Sequence, residues 1–417
     1  IFASASNSNI VTALTIRNCT NYGRITQTNG SADNGVGGIL GSAYRVLTLV
    51  IEGCTNYGEI QATTNAGGIL GRSNWGATNK STPIAISGCA NFGAVKVSGD
   101  NAGGIVGAHI NMQCGIVLTS CANYGDVSAA NNVGGLVGYN NSERKDGDPQ
   151  KDQPLTLLYC YVKCTVTSSG NYAGLAVGLH KVTDNTVALT LTNCVLTGTV
   201  NAASGAAAIL GCIGTTVAAT EPTVTLTNVF VRATVAVPSD AKAATLIGGA
   251  AEAIVTGVNL TVTDSRFAVS VVIGAAVANP VTYYDGTGAG VTTALTALGA
   301  DDLTDSTVRD LLNIYAKDNG LMTWMQGNVA PELRDFYKWP VEITNRSKLS
   351  HAWTGEELAV LARALRADID RIEVIYYRLS DLETPLDGIP TAAGKYKAVL
   401  HLYDADGKEL DVGNDFS

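Results

Sequence analysis

The chain has 417 residues and a formal net charge of −9, with 46 glycines, 10 prolines and 46% hydrophobic residues. This composition indicates an ordered chain, and an acidic balance without a basic stripe argues against nucleic acid and anionic membranes as partners. No apolar run reaches the roughly 18 to 20 residues that cross a bilayer, so no membrane span is predicted. Because the chain begins at Ile1 without Met or a secretion signal, we expect a processed product.

A seven-residue phrase recurs eight times in the first 280 residues. The first copy reads Cys-Thr-Asn-Tyr-Gly-Arg-Ile, and successive copies start 32 to 39 residues apart. The eight copies begin at Cys19, Cys54, Cys89, Cys121, Cys160, Cys194, Val229 and Ser265. A fixed period in this range is typical of stacked supersecondary units. Positions below are counted from the first residue of each copy as zero.

Each copy predicts three strands. Positions −5 and −3 are large and apolar in all eight copies, as in Leu14 and Ile16, which predicts a strand with one buried face. Turn-forming residues then precede a second strand from 0 to +6, in which even positions face inward and odd positions face outward. A short third strand follows at Gly38–Gly41, with equivalents at Gly68–Gly71, Gly104–Gly107 and Gly135–Gly138.

Three strands per period, with the same columns in every copy, favour a right-handed parallel β-helix of about eight three-strand coils at residues 1–280. A four-stranded propeller blade needs about 40–45 residues per unit, so it fits less well. The insertion at residues 140–154 carries Asp146, Asp148 and Asp152, but it lacks the remaining spacing of a calcium loop and is interpreted as a surface loop.

The remaining residues differ in composition. A helix with caps at Thr304–Ser306 and apolar Val308, Leu311, Leu312 and Tyr315 is expected to cap the open end, within a segment at 281–339. Residues 340–417 alternate like strands at 372–377 and 396–403, whereas residues 356–367 fit either a helix or a strand.

Position zero is Cys in six copies, namely Cys19, Cys54, Cys89, Cys121, Cys160 and Cys194. Neighbours in such a column would lie about 4.8 Å apart, which permits disulfides by distance alone. Val229 and Ser265 fill the same column, however, and in-register side chains meet the disulfide torsion poorly. We therefore expect a structural ladder of reduced, buried thiols.

Position +3 is aromatic in the first four copies, at Tyr22, Tyr57, Phe92 and Tyr124. The alternation predicts that these rings point outward as a ladder, while the Asn at +2 points inward and bonds along the axis. An exposed apolar strip of this kind marks binding sites, and flat ring faces suit sugars or apolar side chains of a protein. The competing interpretation is a turn, with Asn in water and each ring packed in a corner.

The recurring Asn-Tyr-Gly and Gly-Gly-Ile-Leu-Gly sequences resemble the GLUG-motif repeats of bacterial surface proteins, over about residues 15–275. The segment 306–333 is similar to the one that commonly closes such arrays. The tail, around Ile375–Tyr377 and Pro390–Tyr396, looks like the immunoglobulin-like β-sandwich modules of bacterial cell-wall proteins. The resemblance implies a secreted protein at the bacterial cell surface or in the cell wall, with an adhesin-like role.

Enzymatic chemistry finds little support in these residues. GLUG repeats accompany some metallopeptidases, but His109, His180, His351 and His401 are far apart in sequence and form no zinc motif. Outward Glu59 and Asp126, about 10 Å apart in a β-helix, are the best candidates for a glycosidase-like pair.

We therefore predict a non-catalytic adhesin-like protein, without metal or cofactor, that binds carbohydrate or a host or matrix protein and is a monomer. The alternatives are a polysaccharide lyase or hydrolase on a β-helix, and a structural spacer of a larger cell-wall protein.

Overall fold

A computed structural model describes residues 2–5, 11–28, 34–74, 83–110, 114–141, 154–182, 187–215, 222–238, 243–249, 258–274, 276–277, 281–284, 290–291, 306–326, 331–333, 341–344, 359–364 and 369–409. The described chain is almost entirely β and contains a parallel β-solenoid of about six turns. The chain consists of two compact units, the first of residues 1–302 and 311–322 and the second of residues 303–310 and 323–417. Within the described residues, no helix combines the length and apolar character needed to cross a membrane.

The first sheet of the solenoid contains the strands predicted before position zero. Its eight strands pair in parallel in chain order. They are Val11–Arg17, Val46–Glu52, Ile84–Ser87, Ile116–Thr119, Leu155–Leu158, Val187–Thr192, Thr223–Thr227 and Asn259–Thr263. The −5 and −3 columns are in register, as in Ile84 with Ile116 and Ile86 with Leu118, and these side chains are buried. The period-two alternation therefore predicted this sheet correctly.

The residue at −1 turns the chain from the first sheet into the second. All eight of these residues have a positive φ, between 45° and 62°. They are Asn18, Gly53, Gly88, Ser120, Tyr159, Asn193, Asn228 and Asp264. This left-handed conformation suits Gly, Asn and Asp, which explains the turn formers in the sequence. Tyr159 adopts the same conformation, so the register of the stacked copies can impose it on a larger residue.

The second sheet differs between early and late copies. In copies one to four the strand from 0 to +6 is broken into two short strands, whereas from copy five it is continuous. The strands are Thr20–Asn21, Ile25–Thr26, Thr55–Asn56, Ile60–Ala62, Ala90–Asn91, Val95–Val97, Ala122–Asn123, Val127–Ala129, Tyr161–Ser168, Val195–Asn201, Phe230–Val237, Arg266–Ile273 and Ala276–Val277. The sequence predicted one unbroken strand in every copy, which is wrong for the first four because aromatic-Gly forms a bend there.

The third sheet contains the Gly-rich strands. Its sixteen strands are Phe2–Ala5, Val36–Gly37, Leu40–Tyr44, Ala66–Gly67, Leu70–Asn74, Asp100–Gly103, Val106–Ile110, Asn131–Gly134, Val137–Asn141, Asn171–Gly174, Val177–Val182, Ser204–Ala207, Leu210–Thr215, Ala243–Ile247, Val281–Tyr284 and Gly290–Val291. The apolar residue just before the second strand of each third-sheet pair, such as Ile39, Ile69 or Ile105, is fully buried. The three sheets therefore enclose one core. Residues 142–153, which include Asp146, Asp148 and Asp152, lie outside the described residues.

The predicted helix is present at Ser306–Asp318 and buries Val308, Leu312 and Ala316, one face at helical spacing, whereas the predicted apolar residue Leu311 lies off this face and is exposed. Within the first unit, the side-chain amide of Asn193 donates to the carbonyl oxygen of Met322 at 2.8 Å. This contact is made with copy six and not with the last copy, so a capping role for the helix stays a prediction.

The second unit contains small antiparallel sheets. Two strand pairs are Trp324–Gln326 with Pro331–Leu333 and Val341–Ile343 with Ala362–Ala364. A three-stranded sheet has the order Asp381–Pro385, Arg371–Arg378, Tyr396–Tyr403. The strand at Ala362–Ala364 shows that the helical alternative for residues 356–367 is wrong over those residues, whereas residues 351–358 and 365–368 are not described.

Candidate functional site

The Asn-aromatic-Gly bend in the second sheet places Asn inside and the ring outside. Asn56, Asn91 and Asn123 are fully buried, whereas Tyr22, Tyr57 and Phe92 are 77%, 48% and 42% exposed. The competing interpretation from the sequence is therefore wrong in both its parts for these residues, although it is right that Gly forms a bend. Tyr124 is half-buried.

The buried Asn side chains form a hydrogen-bonded ladder along the solenoid. Each amide nitrogen donates to the amide oxygen of the next copy, at 2.7 Å from Asn21 to Asn56, 2.8 Å from Asn56 to Asn91 and 2.7 Å from Asn91 to Asn123. Each also donates to the carbonyl of the Gly two residues later, as from Asn91 to Gly93 at 2.8 Å. The ladder ends where Asn123 donates to Cys164 Sγ at 3.3 Å. These bonds satisfy amides that would be costly to bury unpaired.

Two glycines per copy make room for this ladder. A Cβ on Gly93 would overlap the carbonyl oxygen of Gly58, so the neighbouring backbone and not the core requires Gly at +4. A Cβ on Gly68, in the third sheet, would overlap the side chain of Asn91. Gly38 and Gly104 stand in the same relation to Asn56 and Asn123. The Asn-aromatic-Gly and Gly-Gly-Ile-Leu-Gly sequences are therefore parts of one packing unit.

The four aromatic side chains at +3 stack on one another. Ring centroids are 5.1 Å apart for Tyr22 and Tyr57, 4.9 Å for Tyr57 and Phe92, and 4.8 Å for Phe92 and Tyr124, with interplanar angles of 2°, 9° and 6°. We call these four residues the aromatic ladder. Because each inner ring has a neighbour on both faces, the ladder presents ring edges to solvent. The flat open faces expected from the sequence are absent at Tyr57 and Phe92.

The ladder ends at copy five. Tyr161, at position +1 of that copy, lies 5.4 Å from Tyr124 with its ring tilted by 37°, and only 4% of Tyr161 is exposed. Position +3 in later copies is occupied by Lys163, Thr197, Arg232 and Ala268. The exposed aromatic strip is therefore confined to copies one to four, as the sequence predicted.

Charged side chains flank the aromatic ladder on the same outward face. Lys96 Nζ donates to Glu59 at 2.6 Å, and Glu59 lies 3.3 Å from Arg24 Nε. Arg24 also donates to Gln61 at 2.6 Å, and Gln61 donates to Glu59 at 2.8 Å. The Lys96 ammonium and, to a lesser degree, the Arg24 guanidinium lower the pKa of Glu59. We call Arg24, Glu59, Lys96 and Asp126 the charged flank.

The surroundings of Glu59 do not suit a general acid. The lowered pKa keeps Glu59 ionised, whereas a general acid needs a raised one. Asp126 accepts the backbone N–H of Thr165 at 2.8 Å, so it too is engaged in the solenoid.

The cysteine column lies at the corner between the first and second sheets. All nine cysteines are free thiols, and five of the six at position zero are buried, while Cys19 is partly exposed. Their sulfurs accept backbone N–H groups from the preceding copy, as from Cys54 to Cys89 at 3.4 Å and from Cys160 to Cys194 at 3.4 Å. Ser265 Oγ accepts the N–H of Val229 in the same way, at 3.0 Å. The column therefore satisfies backbone donors at this corner.

Burial makes the Cys121 and Cys164 thiols weak acids. It raises the pKa of Cys121 well above its ordinary value of 9.0, and it raises the pKa of Cys164 to about 12. Thiolates are the reactive form of cysteine, so these groups are poor nucleophiles in the folded protein.

The third sheet also contains a buried polar column that was not predicted from the sequence. Ser73, His109, Asn140 and His180 lie in register on neighbouring strands. Because the Cys114 carbonyl can only accept, at 2.9 Å, His109 carries its proton on Nε2 and accepts from Ser73 Oγ at Nδ1, at 2.7 Å. Asn140 donates to His180 at 2.7 Å. The signal was available, since each residue stands two positions after the last Gly of its third-sheet motif.

The described residues include no group of three or more His, Cys, Asp or Glu side chains that could hold a metal ion. His351 lies outside the described residues. No family model, curated protein or solved structure matches this chain.

Proposed function

We propose that the protein is a non-catalytic, adhesin-like protein of the bacterial cell surface that contacts a protein partner along the aromatic ladder. The observation that carries the proposal is the exposure of Tyr57 and Phe92 at 48% and 42%, although each has a ring stacked on both sides. Aromatic side chains that remain exposed in a contiguous row are the residues that dominate protein interfaces.

The geometry favours a protein over a carbohydrate as the partner. Sugars pack their apolar side against an open ring face, and the inner rings present edges instead. Ring edges, flanked by charges of both signs, suit edge-to-face contacts with aromatic side chains and ion pairs with a complementary surface. Carbohydrate binding is therefore the other outcome of the test.

The finer architecture belongs to the same proposal. It comprises right-handed winding, eight coils at residues 1–280, a capping segment at 281–339 and an immunoglobulin-like sandwich at 340–417. Membership of the GLUG-repeat surface proteins and an extracellular location complete it. The motif residues Asn56, Tyr57 and Gly58, with Gly67–Gly71, support this assignment.

The test compares binding of matched variants to coated collagen, fibronectin and laminin and to a glycan array. Tyr57→Ala with Phe92→Ala should keep the fold and lose protein binding. The control is Thr190→Ala with Thr225→Ala, which truncates two half-buried outward residues of the first sheet. Unchanged binding of the ring variant to every ligand that the wild type binds would refute a role for the aromatic ladder.

A further inference from the structure

Copy one has an open edge in two of the three sheets. Val11–Arg17 is an end strand of the first sheet, and Thr20–Asn21 and Ile25–Thr26 are end strands of the second. We call these three strands the copy-one edge. In the third sheet the same side of copy one is already covered, because Phe2–Ala5 pairs in parallel with Leu40–Tyr44. Copy one therefore accepts a parallel strand on this side, and an open strand edge is a template for further pairing.

Two side-chain columns and the aromatic ladder also end at this edge. The Cys19 N–H donates to Cys54 Sγ at 3.4 Å, and the Asn21 amide donates to Asn56 Oδ1 at 2.7 Å. Among the described residues, no preceding copy supplies such a donor to Cys19 Sγ or to Asn21 Oδ1. Tyr22 is 77% exposed and stacks on one ring only within this part of the chain. An added strand with Asn at +2 and an aromatic residue at +3 would continue all three rows.

The charge of the edge favours an acidic occupant. Arg17 and Arg24 are the only charged residues in the sequence 1–32, and their side chains are 64% and 59% exposed. Toward copy two, each has a carboxylate as its neighbour, Glu52 at 2.8 Å and Glu59 at 3.3 Å. A guanidinium has five N–H donors, so each Arg can also bind a carboxylate from the open side. The complementary strand therefore has acidic residues at −2 and +5.

From the open strands, the interrupted columns and the positive charge we infer that the copy-one edge binds an extended segment of a partner protein by strand addition. The segment runs parallel to copy one, with Asn-aromatic-Gly at +2 to +4 and carboxylates at −2 and +5. Main-chain hydrogen bonds supply affinity in this mode of recognition, and alternate side chains supply specificity. The inference goes beyond the proposed function, because the occupant adds to strand edges and does not cover the ring edges of the aromatic ladder.

Two peptides taken from the chain itself test the inference. The sequence of residues 46–62 has Asn-Tyr-Gly with Glu at −2 and +5, and the sequence of residues 11–27 has the same motif with Arg at both positions. Both peptides carry Val in place of Cys at position zero, as Val229 does in copy seven, so that they form no disulfides. Binding of the labelled peptides to the whole chain is measured by fluorescence anisotropy at low salt, at concentrations where each peptide alone is a monomer. The 46–62 peptide should bind at least about tenfold more tightly than the 11–27 peptide, whose Arg side chains would meet Arg17 and Arg24.

Substitutions within the 46–62 peptide separate charge from other differences without altering the folded protein. Glu52→Arg with Glu59→Arg should weaken its binding at least about tenfold. Asn56→Leu removes the amide that would donate to Asn21 Oδ1 and should also weaken binding. Equal binding of the parent and the charge-exchanged peptides would overturn the inference, and so would a parent peptide that does not bind.

Cys19 provides an independent measurement of the same event. Of the nine cysteines it alone is partly exposed, and an added strand would cover it. The 46–62 peptide should therefore slow alkylation of Cys19, read by mass spectrometry, whereas the charge-exchanged peptide should not. Unchanged alkylation at saturating peptide would place the peptide elsewhere and overturn the inference. A chain that binds a coated matrix protein but not the peptide leaves the proposed function standing, and the reverse result leaves only this inference.

Discussion

Copies one to four and copies five to eight build the same corner of the core in two ways. In the early copies, position +2 is a buried Asn that bonds to its neighbours, whereas the later copies have Val162, Leu196, Val231 and Phe267 in register with it. The third-sheet position that is Gly in the early copies becomes Leu175, Ala208 or Thr245. Gly38, Gly68 and Gly104 lie against the Asn side chains, whereas Gly135 lies against Val162, so Gly at this position extends one copy beyond the Asn ladder.

The early and late copies also differ on the surface, at position +3. The amide ladder needs the Gly carbonyl two residues later, and the resulting bend interrupts the second-sheet strand. Position +3 faces outward with or without the bend, since Lys163 and Arg232 at +3 of continuous strands are also exposed. Only the first four copies have an aromatic ring at this position. The aromatic ladder and the Asn ladder therefore occur in the same copies, and a function that uses the rings belongs to copies one to four.

The largest expected effect comes from closing the space at a bend. Gly93→Ala places a Cβ against the carbonyl oxygen of Gly58, which cannot move without separating two copies. We expect at least about 3 kcal/mol loss of unfolding free energy, measured by denaturant titration. Gly23→Ala is the matched control, because its Cβ would meet only the Asn21 amide oxygen, at 3.7 Å. Equal stability of the two variants would contradict the proposed packing.

A smaller effect is expected when the Asn at +2 of one early copy is replaced by the apolar residue of a later copy. Asn91→Leu introduces the residue of copy six, but it removes the partner of the Asn56 amide and of the Asn123 oxygen. The Asn56 amide nitrogen then keeps only its bond to Gly58, and the Asn123 oxygen keeps only the bond from the Gly125 N–H. The loss of these buried hydrogen bonds should lower the unfolding free energy by about 2–4 kcal/mol. Asn21→Leu, at the partly exposed end of the ladder, should cost less. A stabilised Asn91→Leu protein would show that the ladder is not needed for stability.

These dependences were only partly visible in the sequence. The strand columns, the turn at −1 and the inward Asn with outward ring follow from the alternation of residues such as Ile16, Asn56 and Tyr57. The inward direction of +4 suggests a small residue for lack of space in the core, but the atom that obstructs a Cβ on Gly93 is the carbonyl oxygen of Gly58 in a neighbouring copy. The coupling of Gly68 to Asn91 joins different sheets of different copies, and no local pattern reveals it.

A third effect concerns two thiols, Cys121 of copy four and Cys164 of copy five, where the early and late copies meet. Cys121 and Cys164 have raised pKa values in the folded protein and titrate near 9.0 when unfolded. Their contribution to stability is therefore complete below about pH 9 and is lost as the pH rises toward the folded values. Each should add about 1.4 kcal/mol per pH unit to the alkaline loss.

Denaturant titrations between about pH 8 and pH 10.5, with reductant present, measure this slope on either side of the ordinary thiol pKa. Cys121→Val should remove the contribution of one thiol to the pH dependence of the unfolding free energy. Val229 shows that Val fits the same column. An identical slope for wild type and variant would mean that Cys121 is not a buried, protonated thiol.

The central claim is that the rings of copies one to four face solvent while their later neighbour does not. Hydroxyl-radical footprinting, read by mass spectrometry, compares these side chains in one sample of folded protein. Tyr22 and Tyr57 should be oxidised rapidly, Phe92 more slowly, and Tyr161, which is 4% exposed, should be protected until the chain unfolds. Protection of Tyr57 and Phe92 equal to that of Tyr161, at concentrations where the chain is a monomer, would contradict the account.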